Sequence, residues 1–466
     1  MVFSSLTFLY AYLPLTLLIY FTVPLRYRNM VLLAVSLFFY GWGEPVYVLL
    51  MIFSILFNYI FGALVAKYRS TDRKKAKMFL IIDIIANLAL LGFFKYFDFF
   101  AANLNMIGIR FIHPLHLGLP IGISFYTFQT MSYPIHLYRF DTDPQKKLVN
   151  FGAYVSMFPQ LIAGPIVRYR DIARQLEERH ENINQIYSGI QRFIIGLAKK
   201  VLLANSAGQV WEFAKGLSAE QSSLLTAWLG IAFYAFQIYF DFSGYSDMAI
   251  GLGRIFGFEF CENFNYPYIA SSITDFWRRW HISLSSWFRD YVYIPLGGNR
   301  KGLKRQLVNI MIVWLLTGFW HGAAWNFVLW GVFYGIVLIL EKCFLLKKME
   351  KWPVWTRHLY TMVIVLIAWV FFADENIGAA FRYLLGMIWA KPVSASALFI
   401  LRDHFVLLIV CILASTPVLK NARGWIQQKT NGKGTYLAPL AAAFTLILCT
   451  AFIVDATYNP FLYFRF

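Results

Sequence analysis

The sequence contains few charged residues. Asp, Glu, Lys and Arg together make up 14% of its 466 residues, against roughly 25% in an average soluble domain. Hydrophobic residues make up 59%, and the mean hydropathy is +0.56. A soluble fold of this length could not bury that much apolar surface, and the exposed remainder would drive association. The composition therefore excludes a soluble globular protein and predicts a protein solvated by a lipid bilayer.

Several motifs of known sites are also missing. Four cysteines, scattered at positions 261, 343, 411 and 449, have neither metal-ligand spacing nor the pattern of a disulfide framework. There is no glycine-rich phosphate loop followed by lysine and no Gly-X-Ser-X-Gly nucleophile turn. His113 and His116 are close in sequence, but Pro114 breaks a helix between them. We therefore expect no metal site, no bound cofactor and no serine triad.

Positive charge is in excess, with a formal net charge of +18. The basic residues fall in short stretches between apolar runs, which is typical of cytoplasmic loops and of attraction to anionic headgroups, not of nucleic-acid binding. An anionic cytoplasmic ligand is the alternative.

Apolar runs that span a bilayer, or nearly so, recur along the whole chain. Since a full crossing needs roughly 20 residues, we predict about ten to twelve crossings, with the shorter runs re-entrant or interfacial. No internal repeat and no long polar insertion interrupts them, so the chain is predicted to be one all-α membrane domain, 1–466. The first run has no charged segment before it and predicts a retained span. The runs lie at 6–24, 30–43, 46–66, 78–97, 119–138, 150–166, 187–204, 222–240, 307–320, 324–346, 358–373, 402–418 and 436–455.

Loop charges predict the orientation. Basic residues cluster after the first and third runs and before the last one, and such loops face the cytoplasm. The turn sequence at 41–45 then lies outside, and both chain termini are predicted to be extracytoplasmic. The residues that carry this prediction are Arg26, Arg28, Lys67, Arg69, Arg73, Lys74, Lys75, Lys77, Arg139, Lys146, Lys147, Lys420, Arg423, Lys429 and Lys433.

His321 is an ionisable residue between two apolar runs. Polar groups at such positions are costly in lipid and usually face a cavity or one another. Small residues surround it, among them Gly318 and Gly322, and these let a ligand or a backbone approach closely. A neutral imidazole within reach of a hydroxyl is a general base. The alternative is a packing histidine bonded to a neighbouring helix.

Residues 274–291 place tryptophans on one face of a predicted helix and arginines mostly off it. This pattern is typical of an interfacial amphipathic helix. The alternative is a pocket wall on which Arg278 and Arg279 face an anionic donor such as phosphopantetheine or coenzyme A.

Two acids, Asp241 and Asp247, lie at the end of another apolar run. Gly244 lies between them and suggests a bend or a close contact. Structural pairing with an arginine, such as Arg254, Arg278 or Arg279, is favoured over catalysis or cation binding. The aromatic tail, 458–466, reads as an interfacial anchor.

Taken together, these segments resemble the membrane-bound O-acyltransferases, and within them the bacterial alginate O-acetyltransferase-like branch. The resemblance runs through the whole chain. It is carried by 156–166 (SMFPQLIAGPI), 237–251 (QIYFDFSGYSDMAIG), 263–267 (NFNYP), 276–285 (FWRRWHISLS), 293–298 (YIPLGG), 317–322 (TGFWHG) and 459–466 (NPFLYFRF).

The resemblance implies a ring of transmembrane helices, with tilted and re-entrant ones, around a central tunnel. It implies that His321 is the nearly invariant histidine of the family and that His281 is a second essential histidine. We expect His321 to be the base and His281 an auxiliary residue that positions the donor. The donor would be a cytoplasmic thioester, acetyl-coenzyme A or an acyl carrier protein. The acceptor would be an exported polysaccharide or wall polymer, reached through an extracytoplasmic transferase or a small relay protein in a bacterial plasma membrane. The residues that we expect to bind substrate or donor are Arg278, Arg279, Asp241, Ser243, Tyr245, Asp247, Asn263, Trp320 and Asn326.

One position departs from the family pattern. Relatives carry an acid where this chain has His136, two positions after Pro134, so the ion pair made by that acid is not expected here. Three alternatives remain open: transfer of D-alanine from a carrier protein to teichoic acid, a glycan or ion transporter, and a scaffold that recruits an outer-leaflet partner.

Overall fold

The computed structural model describes residues 1–109, 112–430, 437–456, 458 and 462, and the regular elements among them are helices. Short π-helical and 3-10 segments adjoin several of these helices. The α-helices are α1 Leu13–Thr22, α2 Arg28–Gly43, α3 Tyr47–Tyr68, α4 Arg73–Met106, α5 Ile123–Arg139, α6 Leu148–Ser156, α7 Phe158–Leu161, α8 Tyr169–Glu177, α9 Ile183–Ala198, α10 Asn205–Lys215, α11 Leu224–Ile255, α12 Ile273–Arg279, α13 Ile282–Phe288, α14 Gly302–His321, α15 Trp325–Leu340, α16 Leu346–Met349, α17 Val354–Ala373, α18 Ile377–Trp389, α19 Ala395–Ala414, α20 Val418–Lys429 and α21 Ala438–Asp455.

Seven helices within the described residues are long and apolar enough to cross a membrane, and two shorter apolar helices, Phe8–Thr22 and Ile377–Trp389, accompany them. The prediction of an all-α, polytopic membrane protein is confirmed. The number of ten to twelve crossings stays a prediction. The seven are Tyr47–Tyr68, Arg73–Met106, Leu224–Ile255, Trp325–Met349, Val354–Ala373, Ala395–Ala414 and Ala438–Asp455.

The chain forms two compact units. The first consists of Met1–Ile194 and Tyr245–Cys261, and the second of Ile195–Gly244 and Glu262–Phe466. The single domain 1–466 stays a prediction.

In the first unit, α3, α4 and α5 enclose a polar pair. The side-chain amides of Asn58 and Asn87 bond each other reciprocally, at 3.2 and 3.0 Å, and Thr130 Oγ1 donates to Asn87 Oδ1 at 3.4 Å. All three side chains are buried. Polar groups that lipid cannot solvate thus satisfy one another and hold these helices together.

In the second unit, α14 and α15 pack at backbone distance. A Cβ on Gly318 would overlap the carbonyl oxygen of Phe327 and lie 3.3 Å from the Cα of Gly331. A Cβ on Gly331 would in turn lie 2.5 Å from the carbonyl oxygen of Trp314. Small residues permit this approach between membrane helices, and it fixes the end of α14, where His321 lies.

The predicted amphipathic helix over 274–291 is interrupted, which corrects the sequence interpretation. The helix α12 ends at Arg279, and α13 begins at Ile282. Between them His281 takes a left-handed conformation with φ 45° and ψ 53°, which is uncommon for a residue with a side chain. The cause is the loop at Asn263: its carbonyl oxygen accepts the N–H of Ile282 at 3.0 Å, and its side chain accepts the N–H of Ser283 at 3.2 Å.

Substitution of Gly318 by Ala is expected to lower the free energy of unfolding by about 1–3 kcal/mol, because the added methyl meets backbone that cannot rotate away. Thermal unfolding in detergent micelles measures the effect as a lower midpoint. The control is Gly386→Ala in α18, where nothing lies within 4 Å of the added methyl and stability should be unchanged or slightly higher. A Gly318→Ala protein as stable as this control would contradict the close packing.

Candidate functional site

His321 is the last residue of α14 and lies in a cage of aromatic rings. Its side chain is 5% exposed, and the chain leaves the helix in an extended conformation at Gly322. The ring centroids of Trp320, Trp330 and Phe372 lie 5.1, 5.1 and 5.2 Å from that of the imidazole, all at steep interplanar angles. Helices α14, α15 and α17 therefore each contribute one aromatic ring to the surroundings of His321.

His281 is oriented by a side chain that precedes it by 18 positions. The imidazole Nδ1 lies 3.1 Å from Asn263 Oδ1, which also accepts the hydroxyl of Ser283 at 2.9 Å. Since this oxygen is an acceptor, Nδ1 carries the proton and Nε2 keeps its lone pair. His281 and Asn263 are 1% exposed.

Burial lowers the pKa of His281 to about 3. An apolar environment disfavours the charged imidazolium, so the ring is neutral at physiological pH. This residue lies outside the seven long apolar helices.

Trp320 brings the two histidines together. Its ring lies 5.8 Å from that of His281 and 5.1 Å from that of His321. Asn326 lies near this group as well, because its side-chain amide donates to the carbonyl of Phe371 at 3.1 Å, next to the cage residue Phe372. Four residues singled out from different parts of the sequence therefore share one region of the second unit, together with Asn263.

The two arginines of α12 are placed differently. Arg278 is exposed. Arg279 pairs with Asp275 one turn earlier, at 2.9 Å, and also bonds the carbonyl of Asn265 at 3.3 Å. Arg279 therefore holds local structure, and Arg278 is the more exposed of the two.

The acidic pair on α11 is split between the units, and its predicted partners are wrong. Asp241, in the second unit, pairs with the buried Lys200 at 2.6 Å and accepts the N–H of Leu462 at 2.9 Å. Asp247, in the first unit, pairs with Arg192 at 2.8 Å. Arg254, Arg278 and Arg279 are not the partners because distance along the sequence does not reveal which helices pack against α11.

The remaining predicted residues on α11 are buried. Ser243 lies in the second unit, whereas Tyr245 belongs to the first, where its ring stacks on Phe3 at 4.6 Å. The predicted close contact at Gly244 is confirmed, since a Cβ there would lie 2.7 Å from the carbonyl oxygen of Gly196.

Parts of two predictions lie outside the described residues. In the tail, Tyr458 accepts a hydrogen bond from Gln237 at 3.2 Å, and the N–H of Leu462 donates to Asp241. Residues 457, 459–461 and 463–466 lie outside the described residues, as does Lys433.

Sequence reasoning missed four residues that contact the predicted site residues or hold their elements in place. Trp330 and Phe372 form the cage of His321, Lys200 holds Asp241, and Glu341 binds the start of α12. A signal was available for Glu341, because an acid inside an apolar run is costly unless it has partners. Trp330 and Phe372 gave no such signal, because 19% of the chain is aromatic and these two do not stand out from the other aromatic residues.

Known proteins resemble this chain over its whole length. The model of the membrane-bound O-acyltransferase family matches residues 141–374. A probable alginate O-acetylase of Azotobacter vinelandii is 43% identical over 83% of this chain and 78% of its own length. A probable alginate O-acetylase of Pseudomonas putida is 39% identical, with complete coverage of both chains. A peptidoglycan O-acetyltransferase of Helicobacter pylori is 34% identical over 100% of this chain and 98% of its own.

The chain belongs to the membrane-bound O-acyltransferase family. The family assignment made from the motifs is confirmed, and the chain is a multi-pass membrane acyltransferase. The transporter and scaffold alternatives are set aside. The family model covers His281, His321, Asn263 and the whole aromatic cage.

Substitution of Asn263 by Asp in this acyltransferase tests the environment of His281. A carboxylate favours the charged imidazolium, so the pKa of His281 rises from its low value, and activity that needs the neutral ring is lost as pH falls. The pH–rate profile of acyl transfer should gain a limb at mildly acidic pH that the intact enzyme lacks. Asn265→Asp, exposed and two positions away, adds the same charge and should leave the profile unchanged. Superimposable profiles for Asn263→Asp and the intact enzyme would contradict this environment.

Proposed function

We propose that this enzyme moves an acetyl group from a cytoplasmic thioester to a hydroxyl that serves an exported polymer, with His321 as the general base. The observation that carries the proposal is the buried His321 in its aromatic cage, one tryptophan ring away from a second buried and neutral histidine. Family membership supplies the reaction class, and the geometry supports the proposed choice of residues.

The chemistry needs little beyond positioning. A thioester is already activated, so the hydroxyl requires a base and the developing oxyanion requires donors. Nε2 or Nδ1 of His321 takes the hydroxyl proton while the oxygen attacks the thioester carbonyl. The C–O bond forms, the C–S bond breaks, and the proton passes to the departing thiolate. Rings that exclude water also discourage hydrolysis of the thioester.

His281 is proposed as an auxiliary residue that positions the thioester. Its Nδ1–H is held by Asn263, and Nε2 is the atom proposed to face the thioester. Trp320 and Asn326 are the other candidates for oxyanion donors. Asn326 already uses one N–H on the carbonyl of Phe371 and has a second N–H to offer.

The exposed basic residues from Arg278 to Arg305 support an anionic donor. Arginine and lysine on one surface attract phosphate groups and raise their local concentration. Acetyl-coenzyme A is the proposed donor, and an acidic acyl carrier protein would meet the same surface. The exposed residues are Arg278, Arg289, Arg300, Lys301, Lys304 and Arg305.

The acceptor is proposed to be a hydroxyl-rich polymer outside the cell membrane. The relatives with near-complete coverage are named for alginate and for peptidoglycan, and both polymers carry sugar hydroxyls. We propose a location in the bacterial plasma membrane with both termini outside. An extracytoplasmic transferase or a small relay protein would carry the acetyl group to the polymer.

The first test is acyl transfer from radiolabelled acetyl-coenzyme A in proteoliposomes, at equal amounts of folded protein. Removing the base by His321→Ala is expected to lower the rate by about 100-fold or more, since a positioned base contributes about 10²–10⁴. The matched control is His180→Ala, an exposed histidine, which should keep the full rate.

Equal rates for His321→Ala and His180→Ala would remove His321 as the base. If the intact protein moved label only from an alanyl-charged carrier protein, the reaction would be D-alanyl transfer and the acetyl donor would be wrong.

The basic surface predicts an effect on donor binding. Substitution of four exposed residues by Gln together, Arg300, Lys301, Lys304 and Arg305, should raise KM for acetyl-coenzyme A by about 10-fold, and by less at high salt. The value of kcat should not change, because none of the four lies in the cage. The same substitution of Arg73, Lys74, Lys75 and Lys77, also exposed, removes equal charge from α4. Equal rises in KM for both variants would show a general charge effect and contradict a donor surface.

A further inference from the structure

We propose that Glu341 is a positioning residue of the acyl-transfer site, which fixes the segment that carries His281 and the cage contact Trp277. The inference rests on the proposed function, because it concerns how the two histidines are held in register. Glu341 does not touch the reacting atoms. It acts through α12.

The carboxylate of Glu341 binds the first turn of α12. It accepts the backbone N–H of Ile273 at 2.7 Å and that of Thr274 at 2.8 Å, and the hydroxyl of Thr274 donates to it at 2.7 Å. The hydroxyl of Tyr360 on α17 also faces it. Hydrogen bonds to an ionised carboxylate are short and about twice as strong as neutral ones.

Burial of the Glu341 carboxylate is energetically costly. It is 0% exposed, it lies in the long apolar stretch Trp325–Met349, and no described basic side chain lies within ion-pair distance of it. The bonds to α12 are therefore what compensates its burial. A negative group at a helix N-terminus is also favoured by the helix dipole.

Ordinary helix capping does not explain this arrangement. Ser272 already caps α12, since its hydroxyl oxygen accepts the N–H of Asp275 at 3.0 Å. Glu341 binds the two N–H groups before that one, and it does so from another helix. The bonds therefore join two elements, where a local cap would only end one.

The position of α12 decides the geometry around both histidines. Trp277, one turn after Thr274, packs on Trp314 at 4.6 Å and on Trp330 at 5.6 Å, and Trp330 is a wall of the His321 cage. Trp280 packs on Trp369 at 5.0 Å, and His281 follows directly. Because α12 has only seven residues, it holds its place through such contacts and not by its own stability.

Glu341 itself lies far from the cage. It follows Trp330 by eleven positions along continuous helix, which corresponds to roughly 16 Å at 1.5 Å per residue. Any effect of Glu341 on catalysis is therefore indirect, and its three hydrogen bonds to Ile273 and Thr274 make α12 the proposed route.

The experiment uses the full-length enzyme in proteoliposomes and measures kcat and KM per folded molecule. Glu341→Gln keeps the size of the side chain but places an N–H₂ group against donors of α12. We expect kcat to fall by about 10- to 100-fold, because a displacement of about 1 Å can cost that much, with KM for acetyl-coenzyme A changed less than about 3-fold. Glu350→Gln, an exposed acid nine positions later, should behave as the intact enzyme.

A matched pair at Thr274 separates positioning from folding. Thr274→Val is isosteric and loses only the hydroxyl bond, so kcat should fall, whereas Thr274→Ser keeps the hydroxyl and should restore the rate. In the Glu341→Gln background, Thr274→Val should have little further effect, because the two groups form one interaction.

Three results would overturn the inference: a kcat for Glu341→Gln within about 2-fold of the intact enzyme, equal losses for Thr274→Ser and Thr274→Val, or a loss that follows only the folded yield. His321→Ala, measured in parallel, separates the two proposals. If it abolishes transfer while Glu341→Gln does not, only the positioning role fails. If His321→Ala is active, the proposed base fails.

Discussion

Inside a bilayer, a polar side chain must find its partner within the protein, because lipid offers none. This constraint organises both units of the structure. Asn58 and Asn87 bond each other in the first unit, and in the second Lys200 meets Asp241 and Glu341 meets the start of α12. Each of these bonds joins elements that are separate in sequence, so the polar groups determine which helices lie side by side.

The candidate site follows from the same constraint combined with close packing. Glycines let α14 and α15 approach at backbone distance, and the aromatic rings that fill the remaining space surround His321. Asn263 holds His281 in an unusual backbone conformation, where its neutral form is favoured. Aromatic rings surround His321, and a hydrogen bond to Asn263 orients His281.

The aromatic cage around His321 affects the proposed acyl transfer. The cage around His321, the proposed base, excludes water that would hydrolyse the thioester, but it must be rigid to keep the imidazole aligned. Tryptophan supplies that rigidity, since its large ring has few rotatable bonds. Trp277, Trp320 and Trp330 form a continuous set of contacts around the two histidines.

The sequence by itself determined the class of protein. Low charge and long apolar runs require a bilayer, and the position of an ionisable residue between two of these runs pointed to His321. The family resemblance pointed to His281, Asn263 and Asn326, and the structure brings all four into one unit. Only the tertiary structure decided the pairings. Lys200 and Arg192, not the arginines near α12, neutralise Asp241 and Asp247, and the helix predicted over 274–291 breaks at His281. The physical reason is that burial cost is a property of one residue and can be read from its neighbours in sequence. The partner that compensates this cost comes from a distant helix, and its identity depends on how the helices pack.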